Sequence, residues 1–211
     1  MSVVVVEPPA ALVRFEEAKL WAPVFGDDED MRVKALLAAS QAAIEPPKSW
    51  VGASFGLQTL EARLDGFGCD RRIPLPFPPV VDVISVQFDD AGGAEQTLPA
   101  DVWRKVGMNT SSSAIELRAG RSWPATACAS EAVRIRYRAG HPEGSAAIEP
   151  VRQAVVLGAL RLRALSTEDL SLRSVETPGV STRTYVVSDL AAKLVSDAVD
   201  ELLSPFKVWR L

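Results

Sequence analysis

The residue types able to do chemistry are few in this chain and badly placed for it. A single histidine, His141, lies between Gly140 and Pro142 in a turn, with no cysteine or second histidine at ligand spacing. Cys69 and Cys128 are far apart and belong to no CxxC, which fits reduced, partly buried thiols better than a single disulfide. Gly26-Asp27-Asp28-Glu29-Asp30 has the composition of a cation loop. It lacks the spaced oxygen ligands and the later bidentate Glu that Ca²⁺ needs, so it is read as acid at a helix start, where the dipole favours it. There is no GxSxG, P-loop or GxGxxG, and no carboxylate pair is placed by the sequence in an apolar pocket. The chain is therefore expected to be no enzyme and to hold no catalytic residue, metal or cofactor.

What remains is suited to contact. Arg134, Arg136 and Arg138 recur every second residue and so share one face of a strand, with Arg118 and Arg121 nearby in sequence. Such a stripe is either a solvated outer face or one half of a salt-bridged interface. Asp27, Asp28, Glu29 and Asp30 supply the other half if copies join head to tail, because a ring contact pairs two unlike patches. The C-terminal Phe206-Lys207-Val208-Trp209-Arg210-Leu211 alternates apolar anchors with cations. Trp, Phe and Arg dominate interface energetics, so this tail is read as a docking segment for a partner chain.

The elements that must position these groups are legible from periodicity. The stretch RIPLPFPPVVDVISVQFDDAGG, Arg72 to Gly93, organises the rest: a Pro-rich extended lead-in, then a strand, then an Asp-Gly turn. In that strand Ile84, Val86 and Phe88 are expected on one face, with Val83, Ser85 and Gln87 on the other. Further strands are expected over Thr59 to Phe67, Asp101 to Val106, Ala114 to Arg118 and Val133 to Arg138, the last with Val133, Ile135 and Tyr137 inward. Helices are predicted over 15–22, 28–45, 150–165 and 189–203, and Pro46-Pro47 and Ser204-Pro205 stop two of them. The predicted class is α+β: a bundle of long N-terminal, central and C-terminal helices, with a small antiparallel sheet or sandwich inserted between them. The organisation expected is an extended arm over 1–14 (or a first strand), one domain over 15–203 and the tail over 204–211. Within it the β region covers 57–138 and a mobile loop covers 166–188. A net charge of −4 over 211 residues argues against a dedicated nucleic-acid binder. No run approaches the about twenty apolar residues of a membrane span. Val3 to Val6 is too short for a signal core, so a soluble, non-secreted chain is expected.

In order, FEEAKLW, DDEDMRVKALLAASQAAIE, LEARLDGF, RRIPLPFPPVVDVISVQFDDAGGAEQTLPADVWR, RSWPAT and AVRIRYRAG resemble the head–tail connector (adaptor) proteins of long-tailed bacteriophages and of phage-derived gene transfer agents. The resemblance spans about Phe15 to Leu165 and departs in the Val-rich N-terminus and the Ala43–Pro47 segment. It implies a structural subunit, cytoplasmic during assembly and then part of the particle neck. Such subunits form a homo-oligomeric ring of about twelve copies below the portal. The implied partners are the portal and the stopper, with double-stranded DNA passing without sequence-specific binding and no membrane involved. The competing reading is a stand-alone β-rich module for carbohydrate or peptide, which would need aromatics gathered on one face rather than scattered.

Overall fold

A computed structural model describes residues 1–21, 30–164, 174–177, 181–184 and 189–208. Contacts cluster into two compact units: Met1–Ala10 with Ile44–Ser145 and Phe206–Leu211, and Ala11–Ala43 with Ala146–Pro205.

The first unit is β-rich. Its strands are β1 (Ser2–Glu7), β2 (Gln58–Leu64), β3 (Arg72–Pro74), β4 (Val80–Asp89), β5 (Glu95–Thr97), β6 (Trp103–Val106), β7 (Ala114–Leu117) and β8 (Val133–Ala139). They form a five-stranded antiparallel sheet in the order β1-β2-β8-β4-β5 and a three-stranded one in the order β3-β7-β6. Alternation explains the layering. Val133, Ile135 and Tyr137 of β8 are fully buried, while the arginines between them turn outward. Leu60 and Ala62 from β2, Val86 and Phe88 from β4, and Ile73, Trp103 and Ile115 from the smaller sheet join them in one core. Tyr137 Oη donates to the Pro76 carbonyl at 2.8 Å, so the largest fully buried side chain also ties down the Pro-rich lead-in.

Two positions show backbone detail overriding simple periodicity. Ile84, expected to share a face with Val86 and Phe88, is 52% exposed, and Val83 joins those two in the core instead. The cause is a register shift between Val83 and Ser85: the extra residue of a bulge reverses which side chains face in. At the end of β8, Gly140 has φ +107°, and a Cβ there would lie 2.1 Å from the Gly56 carbonyl oxygen. Only glycine allows that approach, which lets Gly140 N–H reach Pro79 O and His141 N–H reach Phe55 O, at 2.9 and 2.8 Å. The N-terminal valines are an edge strand, β1, paired with β2.

The second unit is helical, with α1 (Phe15–Trp21), α2 (Asp30–Ile44), α3 (Glu149–Ala164) and α4 (Asp189–Leu203). Val151, Ala154, Val155 and Ala159 form the buried face of α3. A side chain at Gly158 would have to displace Ser40 Oγ, since an added Cβ would stand 2.3 Å from it. That hydroxyl donates to Val155 O at 2.8 Å, so α2 and α3 meet through a small-residue contact. Arg152 gathers α1 to α3: it donates to Leu12 O at 2.9 Å and Glu149 at 3.0 Å, pairs with Glu17, and lies 5.4 Å from the Trp21 ring. Two further strands, β9 (Ser174–Thr177) and β10 (Ser181–Thr184), pair antiparallel within the segment expected to be irregular. Their Ser/Thr-rich sequence carries no apolar alternation to announce them.

The expectation of a long-helix bundle holding a small inserted sheet is overturned. The class is mixed α+β, but the helices are short, at 7, 15, 16 and 15 residues. Among the described residues ten strands, eight of them in the two sheets of the first unit, make the larger element set. Proline sets the limits: Pro46-Pro47 follows α2, and Pro205 follows α4. Meanwhile the β region encloses a core of its own, which no insertion between helices would need.

Candidate docking surfaces

The register of β2, β8 and β4 decides what the predicted arginine stripe does. Glu61 lies opposite Arg136, and Arg63 opposite Arg134. Glu61 is buried between two guanidiniums, accepting from Arg63 Nε at 2.9 Å and Arg136 Nη2 at 2.8 Å. Arg63 also reaches Glu131 at 3.0 Å. Arg134 pairs with Asp89 at 2.6 Å and Glu95 at 2.9 Å, and Arg138 is 4.0 Å from Asp82, which also pairs with Lys105. Burial alone would raise the Glu61 carboxyl, but the hydrogen bonds and charges of Arg136 and Arg63 outweigh it and hold Glu61 below the usual range. The hydrogen bond from Arg134 likewise lowers Asp89, and that from Lys105 lowers Asp82. The stripe Arg134, Arg136, Arg138 is thus brought together on one face, and its charge is met by carboxylates of the same chain.

A second arginine face forms on the small sheet. Arg72, Glu116 and Arg104 stand abreast on β3, β7 and β6. Arg104 pairs with Glu116 at 3.0 Å, and Arg121 with Asp101 at 2.5 Å. The other three guanidiniums are held by carbonyls: Arg72 by Ser112 O at 2.6 Å, Arg118 by Trp103 O at 3.0 Å, and Arg71 by Leu117 O and Arg118 O at 3.2 Å. Sequence reading found Arg118 and Arg121 near the stripe but missed this face, because Arg71 and Arg72 are about thirty residues or more away and only strand pairing joins them.

The tail begins on the chain's own surface. Phe206 packs edge-on against Phe55 with ring centroids 5.7 Å apart, and Val208 N–H donates to Val51 O at 2.9 Å. Lys207 sits 5.7 Å from the Trp50 ring. Trp209, Arg210 and Leu211 lie outside the described residues, as do Asp27, Asp28 and Glu29. Asp30 opens α2 and pairs with Lys19 of α1 at 3.2 Å.

The segment that receives Phe206 is shaped by a residue that sequence reading treated only as part of a helix stop. Glu45 is buried and accepts from Gly56 N–H at 2.7 Å, Phe55 N–H at 3.2 Å and Gln58 Nε2 at 2.8 Å. Burial pushes its carboxyl up, and those three donors oppose the shift. His141, the one histidine, is pushed down by burial. Among the described residues no three His, Cys, Asp or Glu side chains gather as a metal site would require, and no helix is long and apolar enough to cross a membrane.

No protein-family model and no curated protein matches the chain. Solved structures do. A chain in the neck of an empty gene transfer agent particle, computed with C6 symmetry, is similar with TM-score 0.69 and 22% identity, covering 100% of this chain and 97% of that one. A chain in the virion of a native gene transfer agent particle gives 0.67 and 19%, again covering 100% and 97%. A chain in the neck of a native particle, computed with C12 symmetry, gives 0.56 and 17%, covering 98% and 97%. At these identities the likeness is one of fold, and it runs the length of the chain; the resemblance read from the residues is met at that level.

Proposed function

We propose that the chain is a structural subunit of the neck of a gene transfer agent or long-tailed phage particle. In this reading it is a head–tail connector that repeats around a ring below the portal, extends the DNA channel and offers the stopper or tail a docking surface. The full-length fold shared with chains of gene transfer agent necks carries the reading. The C6 and C12 symmetry of those necks supports a repeated subunit. The surfaces fit a task of contact rather than reaction: both arginine faces are held in fixed geometry by neighbours, which suits recognition by shape and charge.

The C-terminal tail, Phe206 to Leu211, is the portal-docking element in this reading. Its first half already rests on Phe55 and Val51, which gives the docking segment a fixed root. Deleting Trp209 to Leu211 keeps that root. The shortened chain is expected to fold with an unchanged melting temperature and to be missing from purified particles, as read by immunoblot. Normal incorporation would refute portal docking by the tail.

A further inference from the structure

We propose that the carbonyl-held arginine face of β3, β7 and β6 docks the acidic side of α4 from a second copy of this chain. The idea that copies form a ring rests on the neck-subunit reading; the contact itself is argued from charge.

Arg71, Arg72, Arg104, Arg118 and Arg121 are all exposed. The carboxylates on the same region are Glu116, Asp101 and the neighbouring Asp70, so the face carries an excess of positive charge. A carbonyl orients a guanidinium without cancelling its charge. Arg71, Arg72 and Arg118 are therefore pre-set for an anion and lose little freedom on meeting one.

The complementary surface lies on α4. Asp197, Asp200 and Glu201 are spaced i, i+3 and i+4, share one side of the helix, and are exposed. Among the described residues none of them has an ion-pair partner in the chain, and the one cation on the preceding turn is Lys193. Their position is unfavourable to the helix itself. Like charges at these spacings repel, and Asp200 and Glu201 stand in the last turns, where the dipole favours cations and no basic residue occurs. Leu194, 60% exposed, lies one turn before Asp197 on the same side and offers an apolar anchor within the acidic rim. Two unlike patches on one chain make a heterologous contact, the kind that closes rings.

A nucleic acid is the competing anion. Single strands are disfavoured, because the aromatic groups of this region are occupied: Phe67 and Trp123 stack on each other at 4.8 Å, Trp123 Nε1 donates to Asp70 O at 2.7 Å, and Trp103 is buried. A duplex backbone is separated by experiment.

Two double variants test the contact: R71E/R72E, and D197K/E201K. All four positions are exposed, and circular dichroism confirms folding. In sedimentation velocity at low ionic strength the wild type is expected to form concentration-dependent oligomers that salt disperses. Each variant alone faces like with like and is expected to associate at least about tenfold more weakly. An equimolar mixture of the two restores opposite charges at every junction and recovers association. A monomeric wild type, a mixture that stays monomeric, or a variant that assembles normally would overturn the contact. Loss of binding to a fluorescent DNA duplex by R71E/R72E, with self-association unchanged, would reassign the face to phosphate and also overturn it. If the chain occupies the neck but the mixture fails, only this contact falls; if the mixture associates but particles lack the chain, the neck reading falls instead.

Discussion

The two arginine faces of the β unit are built from the same residue type and differ in what holds them. On the large sheet Arg63, Arg134 and Arg136 close on Glu131, Glu61, Asp89 and Glu95, with Arg138 at the edge of contact with Asp82. On the small sheet Arg71, Arg72 and Arg118 close on main-chain oxygens. Both sets are ordered. In the first the order satisfies charge inside the chain; in the second Arg104 and Arg121 meet carboxylates, but the three carbonyl-held guanidiniums keep their charge. An arginine count cannot separate a structural face from a docking face, whereas the chemistry of the acceptor can.

The comparison can be broken at its scaffold. Gly140→Ala sets a Cβ against the Gly56 carbonyl at the end of β8, the strand that carries the neutralised face. It is expected to cost about 3 kcal/mol or more, read as a lower urea midpoint at unchanged slope. A smaller effect comes from the charge itself. Glu61→Ala leaves Arg63 and Arg136 facing each other without their shared carboxylate, and is expected to cost about 2 kcal/mol, since both guanidiniums keep partial access to water. Arg72→Ala on the other face removes one exposed hydrogen bond, to Ser112 O, and no buried partner. It should change stability by about 0.5 kcal/mol or less. An equal loss for Glu61→Ala and Arg72→Ala would erase the distinction.

Acidity sharpens it further, because the two buried glutamates respond with opposite sign. Glu61 is lowered in the fold, so its stabilisation is present above the unfolded value of 4.5 and is lost as pH falls through the lower folded value. Glu45 is raised, so its contribution is complete below 4.5 and is lost as pH climbs through the raised value. Urea midpoints of Glu61→Gln and Glu45→Gln against wild type, taken from about pH 3 to pH 7, are expected to show differences that grow in opposite directions. Parallel curves would contradict the assignment.

Much of the β unit was legible because its strands are half-buried. β8 alternates arginine with Val133, Ile135 and Tyr137, and the structure keeps that pattern. α4 runs over the predicted 189–203, with Asp189 at its start and Ser204-Pro205 after it. The proportions were not legible. Periodicity locates strands one at a time and says nothing of neighbour order, so a sheet with β8 at its centre and β1 at its edge looked like a small insert. The inversion of Ile84 and Val83 comes from one bulge that no alternation rule contains. For the docking surfaces, sequence revealed which residues are arginine but not which oxygen each one meets. Glu45 passed as the end of a helix, since its partners at Phe55, Gly56 and Gln58 belong to the next segment.

The central claim is that this chain acts by occupying a place in a particle, as one copy of a repeated neck subunit. Electron microscopy of particles made with and without it tests that most directly. The expected result is a collar of symmetry-related copies between capsid and tail, into which this fold fits, and tailless capsids when the chain is missing. Tailed particles assembled in its absence, with an unchanged neck, would contradict it.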